Sequence, residues 1–118
     1  MQEERYTVSG ATYIAKIEDS DEGTTISIRK KASFTPIYTI FAQSEVLSIN
    51  GEDFDLQHIL YYGHNGNFLT VIGSQNHVYE ECEGNMEKIQ ALPDNETQNY
   101  EIPCSDTVAD IIADACNL

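Results

Sequence analysis

Positive charge is what this sequence has least of. Six Lys and Arg stand against 20 Asp and Glu in 118 residues, a net charge of -14. A chain so poor in base offers no electrostatic footprint for nucleic acid or an anionic membrane, and its field repels both. Long apolar runs are missing as well. The uncharged stretch 32–44 is broken by Ser, Thr, Pro and Gln, and nothing approaches the roughly 18 apolar residues of a membrane-spanning helix. The opening Met-Gln-Glu-Glu-Arg has no apolar core for a secretory signal, so a cytoplasmic protein is expected. Cysteine is scarce and odd in number. Cys82, Cys104 and Cys116 show no CxxC spacing, which favours reduced thiols over a disulfide framework.

What remains describes one ordinary soluble domain, with 41% apolar residues and a mean hydropathy of -0.37. The charge is unevenly placed. Residues 1–31 hold five bases against six acids, whereas residues 32–118 hold only Lys88 against fourteen acids. So large an excess destabilises the compact state by self-repulsion, and it exceeds what solubility requires.

Alternation predicts mostly strand. Arg5–Glu18 reads as one strand with a bend at Ser9-Gly10, placing Tyr13, Ala15 and Ile17 on one face. Residues 19–23 form a turn by composition, and Thr24–Lys30 returns with Ile26 and Ile28 inward. Phe34–Phe41 is strand-like, with Pro36 arguing for an edge or a strand start. Glu45–Ile49 follows, and Asn50-Gly51 is the strongest hairpin signal in the chain. Asp55–Tyr62 fits strand better than helix. Gly63–Gly66 reads as a turn, Asn67–Ile72 as strand and His77–Cys82 as a last strand. Asn85–Leu92 fits a short helix, and Pro93–Pro103 a polar connection. The expected fold is α+β. It is a mainly antiparallel curled sheet or small partial barrel of six to seven strands, covered by a C-terminal amphipathic helix.

That helix is the sharpest feature. Ser105 is a good N-cap, and at about 100° per residue Val108, Ile111, Ile112 and Ala115 share one face. Asp106, Asp110 and Asp114 share the opposite one. A spacing of four residues sets these carboxylates roughly 6 Å apart along the axis, near the separation of successive phosphates on a nucleic-acid strand. Asp is a poor helix former, and Asp114 falls in the last turn, where the macrodipole disfavours negative charge. A second acidic cluster is Glu80, Glu81, Glu83 and Glu87, extended by Asp94, Glu96 and Glu101. A third, Glu52, Asp53 and Asp55, is simplest as turn chemistry. Singly, each cluster reads as a solvated face or a guarded strand edge. Together they occupy the half of the chain that almost lacks base.

Other chemistries match poorly. The loops at 19–23 and 52–55 lack the twelve-residue calcium pattern and its distal Glu. His58, His64, His77 and Cys82 lack paired zinc-ligand spacing. Gly63-His64-Asn65-Gly66 is not followed by the Lys-Ser/Thr of a phosphate loop, and no thiol carries a nucleophile signature. Arg29-Lys30-Lys31 reads as a solvated strand end or a partner for the acidic half. No catalytic residue, metal or cofactor is therefore expected, and the chain is not expected to be an enzyme.

The expected function is binding. A basic, nucleic-acid-binding or nuclease protein would be masked by carboxylates that imitate phosphates, through Asp106, Asp110, Asp114, Glu80, Glu81, Glu83 and Glu87. In size and charge, though in no motif, the chain resembles phage-encoded inhibitors of DNA-directed defence, such as anti-CRISPR or anti-restriction proteins, and immunity proteins that block nuclease toxins. The alternative is a β-rich module whose pocket, lined by residues such as Tyr38, Tyr62 and Phe68, takes a small ligand or peptide.

Overall fold

The computed structural model describes all 118 residues, Met1–Leu118. Nine strands form two antiparallel sheets, with three short helices in the second half of the chain. The first sheet is a six-stranded meander in chain order: β1 (Gln2–Val8), β2 (Ala11–Asp19), β3 (Thr24–Lys30), β4 (Tyr38–Gln43), β5 (Val46–Ile49) and β6 (Glu52–Asp55). A single 3-10 turn at Leu56–His58 leads into the second sheet, β7 (Ile59–His64), β8 (Phe68–Gly73) and β9 (Gln98–Pro103). Between β8 and β9 lie α1 (Tyr79–Cys82) and α2 (Met86–Gln90), and α3 (Asp106–Cys116) closes the chain. The fold is α+β and mainly antiparallel, with an open sheet and nine strands in place of six or seven.

Turn chemistry explains the first departure. Ser9 and Gly10 both take positive φ, 51° and 83°, the backbone of a two-residue hairpin turn. The segment 5–18 therefore reverses where a bend was expected, and Val8 pairs with Ala11. Asn50 and Gly51, at φ 50° and 86°, make the same turn where the sequence announced it. Phe34–Ile37 stays outside the sheet, and β4 begins only at Tyr38, two residues beyond Pro36.

Cross-strand register then sets the core. Ala15 faces Ile28, Ile17 faces Ile26, Ile26 faces Ile40, Ala42 faces Leu47, and Leu47 faces Phe54. This inward row joins Leu69 and Val71 of β8, Ile102 of β9 and the buried face of α3 in one cluster. Tyrosine hydroxyls stitch the layers together. Tyr6 donates to the Pro103 carbonyl at 2.8 Å and Tyr38 to the Glu101 carbonyl at 3.1 Å. On β8 Leu69 and Val71 face the main core, while Ile72 on the opposite face is buried in a second, smaller core and Phe68 and Thr70 are half-buried.

Three further readings change with the structure. His77–Cys82 is no strand: Glu81 reaches back to accept the Val78 N–H, and the segment winds into α1. The supposed connection 93–103 contains edge strand β9, whose Tyr100 and Ile102 alternate toward the core despite their polar neighbours. Gly63 and His64 belong to β7, so the turn begins only at Asn65, whose side chain accepts from the N–H groups of Asn67 and Phe68. A bulge at Leu60 shifts the β7–β8 register and sends that side chain into a second, small core with Ile72, Cys82 and Ile89 beneath α1 and α2.

Candidate functional site

The terminal helix is anchored at both ends. Ser105 caps it, accepting the Val108 N–H at 3.2 Å while its hydroxyl donates to Glu4 at 3.0 Å. At the far end Asn117 takes a left-handed φ of 65° and donates from its side-chain amide to the Ser44 hydroxyl. The core face is Val108, Ala109, Ile112 and Cys116, with Ile111 and Ala115 only half buried. The helix is thus rolled from the face the wheel suggested. Tyr62 accounts for the roll: its hydroxyl donates to the Ala109 carbonyl at 2.7 Å, holding that side of α3 against β7.

The seven expected acidic positions divide into two kinds. Asp106, though exposed, is engaged by the protein, 2.8 Å from Nδ1 of His64, whose Nε2 donates to the Cys104 carbonyl at 2.6 Å. Glu81 is also occupied: it caps α1 and lies 2.7 Å from His77. Glu96 faces the other nitrogen of that ring at 2.6 Å, so each ring nitrogen has a carboxylate beside it. Hydrogen bonds donated to Glu96 and Glu81 raise the His77 pKa above its ordinary value, and the bond from His77 lowers that of Glu81. Asp110, Asp114, Glu80, Glu83 and Glu87 are exposed, and none has an ion-pair partner within 4.0 Å. Across the whole chain a single Lys/Arg–carboxylate pair forms, Lys16–Glu18 at 3.2 Å. The acids are not neutralised internally. Arg29, which the sequence offered as an internal counter-charge, instead donates to the Ser33 carbonyl and lies over the Phe34 ring.

Between α3 and α1 runs a feature that no local pattern announced. A groove of about 370 Å³ is lined only by apolar and aromatic side chains. Its floor is Leu56 with Ile59, Tyr61 and Tyr62 of β7; Tyr79 of α1 forms one wall, Ala113 and Leu118 the other. Tyr79 and Leu118 are 44% and 46% exposed, although both are large and apolar. Of the pocket residues expected from sequence, Tyr62 is here; Tyr38 and Phe68 are elsewhere. A second depression, about 380 Å³, shares Leu56 and carries Glu45 and Asp55. Neither lining contains Lys or Arg. Burial, with smaller contributions from Cys104, Cys116, Asp110 and Asp114, pushes the Tyr62 hydroxyl above its ordinary pKa.

The thiols lie in the cores. All three are free and buried, and burial pushes Cys104 up to about 12 and Cys116 up to about 11. Both are held as protonated, hydrophobic side chains. No helix is long and apolar enough to cross a membrane. Comparison with protein-family models, curated proteins and solved structures finds no match to this chain.

Proposed function

We propose that this is a small cytoplasmic binding protein that masks a basic, nucleic-acid-binding surface on another protein, in the manner of an anti-CRISPR, anti-restriction or nuclease-immunity protein. One observation carries the reading: twenty carboxylates with a single Lys/Arg partner among them. Folding gains almost nothing from that charge and suffers its repulsion. A cationic surface gains from it, because steering speeds encounter and paired Arg or Lys side chains fix register. Asp110 and Asp114 are solvent-facing, one helical turn apart on a regular helix, and suited to pair with cations that otherwise hold successive phosphates.

The test is a pull-down from host lysate at about 50 and about 500 mM NaCl, a range that moves from weak to strong screening. The expected eluate at low salt contains nucleic-acid-binding proteins that added duplex DNA displaces. High salt and the double variant Asp110→Lys with Asp114→Lys should each deplete them. Capture that ignores salt, DNA and the double variant would overturn the proposal. The groove lends some support to the second reading, a peptide or small-ligand module, since 370 Å³ lies within the range of ligand pockets.

A further inference from the structure

Resting on the charge-based reading, we infer that the groove between α1 and α3 receives one large apolar side chain from a Lys/Arg-rich segment of the partner. Apolar anchoring and ionic contact would then occur at one place on the surface.

The argument begins with the roll of α3. On a wheel of about 100° per residue, Ala113 falls between buried Ala109 and the stripe of Asp106, Asp110 and Asp114. It is therefore the residue where the apolar face meets the acidic one, and it is also a groove wall. Across the groove, Tyr79 is followed directly by Glu80, with Glu83 one turn on. At the open end, Leu56 joins the depression that carries Glu45 and Asp55. On three elements the lining residues thus have carboxylates as their direct chain neighbours, Asp114 beside Ala113, Glu80 beside Tyr79 and Asp55 beside Leu56, while the lining itself is aliphatic and tyrosine and holds no cation.

That combination selects the occupant. The acidic rim would repel an anionic ligand, and a neutral polar one would find only tyrosine hydroxyls, of which that of Tyr62 is already committed to the Ala109 carbonyl. A purely apolar ligand would leave the rim unused. A segment with a bulky apolar side chain between cations satisfies both parts, in the arrangement of a buried anchor inside a charged rim. Tyr79 and Leu118, half exposed in the free protein, would lose most of that exposure on binding.

Two synthetic peptides of equal charge test this, each a Lys-rich nonamer. One carries Leu-Phe at its centre and the other Ser-Gly, and binding is followed by fluorescence anisotropy and amide chemical shifts at low salt. The Leu-Phe peptide should bind at least about tenfold tighter, shifting Tyr62, Tyr79, Ala113 and Leu118. Ala113→Trp, which fills the groove, should bring the two affinities together. Leu118→Arg, at an exposed terminal position, should do the same if the Trp variant fails to fold. Equal affinity of both peptides for the unaltered protein would overturn the anchor and leave the charge-based reading intact. Binding of neither peptide at low salt would overturn both.

Discussion

Asp114→Lys should make this protein more stable, and the amount can be worked from its position. Asp114 lies in the last turn of α3, whose helical residues end at Cys116, and it is exposed without a cation. Removing a negative charge there and adding a positive one changes the macrodipole interaction by about 0.3–1 kcal/mol each at low ionic strength. Asp110 lies four residues earlier, so a like-charge repulsion becomes an acid-before-base attraction, each about 0.2–0.5 kcal/mol. Allowing for incomplete additivity, the gain is about 1–2 kcal/mol. With a urea slope of about 1–3 kcal/mol per molar, the midpoint should rise by roughly 0.3–2 M. Asp106→Lys supplies the control, because it changes net charge identically at the other end of the helix. There the dipole favours the acid and His64 contacts it, so stability should fall. The comparison cancels the general relief of self-repulsion and leaves position alone. In about 1 M NaCl, where the Debye length is near 3 Å, the difference should largely collapse. Equal midpoint shifts for the two variants would refute the helix-end argument, leaving overall charge as the cause.

Two further outcomes follow from packing and titration. Gly73→Ala should cost about 1–3 kcal/mol by overpacking, since its Cβ would stand 2.6 Å from the ring of fully buried Phe54; an unchanged urea midpoint would show that the ring can move aside. The raised His77 pKa makes its contribution complete below the ordinary 6.5 and lost as pH rises through the folded-state value, whereas the lowered Glu81 pKa makes its contribution present above 4.5 and lost as pH falls below that. The stability advantage over His77→Gln should therefore be larger near about pH 6 than near about pH 9, and an advantage that grows with pH would contradict the assignment.

How much of this was legible in sequence depended on whether a pattern was local. Alternation through Tyr13, Ala15 and Ile17, the Asn50-Gly51 hairpin, the Ser105 cap and the α2 segment are each decided within a few residues, and each forms as the pattern implies. Tyr100 and Ile102 also alternate, but Gln, Asn, Glu and Pro around them dilute the signal, and only pairing with β8 makes them a strand. The segment 77–82 carries β-like Val78 and Tyr79, and its helix depends on a carboxylate at Glu81 serving both as cap and as partner of His77. The i,i+4 His–Glu spacing was the available clue. Ser74 is a longer-range case. Its buried hydroxyl donates to the Glu96 carbonyl and accepts the Asn76 and His77 N–H groups, fixing the approach to α1 from both sides in sequence.

The phase of α3 shows most clearly why the candidate site was out of reach. A wheel centres the apolar face by averaging hydrophobicity, and Ile111 pulls that centre toward itself. In the fold, Tyr62 bonds the Ala109 carbonyl and Cys116 is buried against the β4–β5 turn, so the helix settles with Ile111 at the margin. The difference is small for stability, because an apolar face is buried in either phase. It is large for function: the roll brings Ala113 from the wet side to the margin of the buried face, where it walls the groove, and leaves its chain neighbour Asp114 exposed beside it. An acidic stripe facing only water would attract any cation equally. Set beside a groove that, as proposed, takes one bulky side chain, the same stripe would discriminate between basic partners, because affinity would then depend on what lies between the cations.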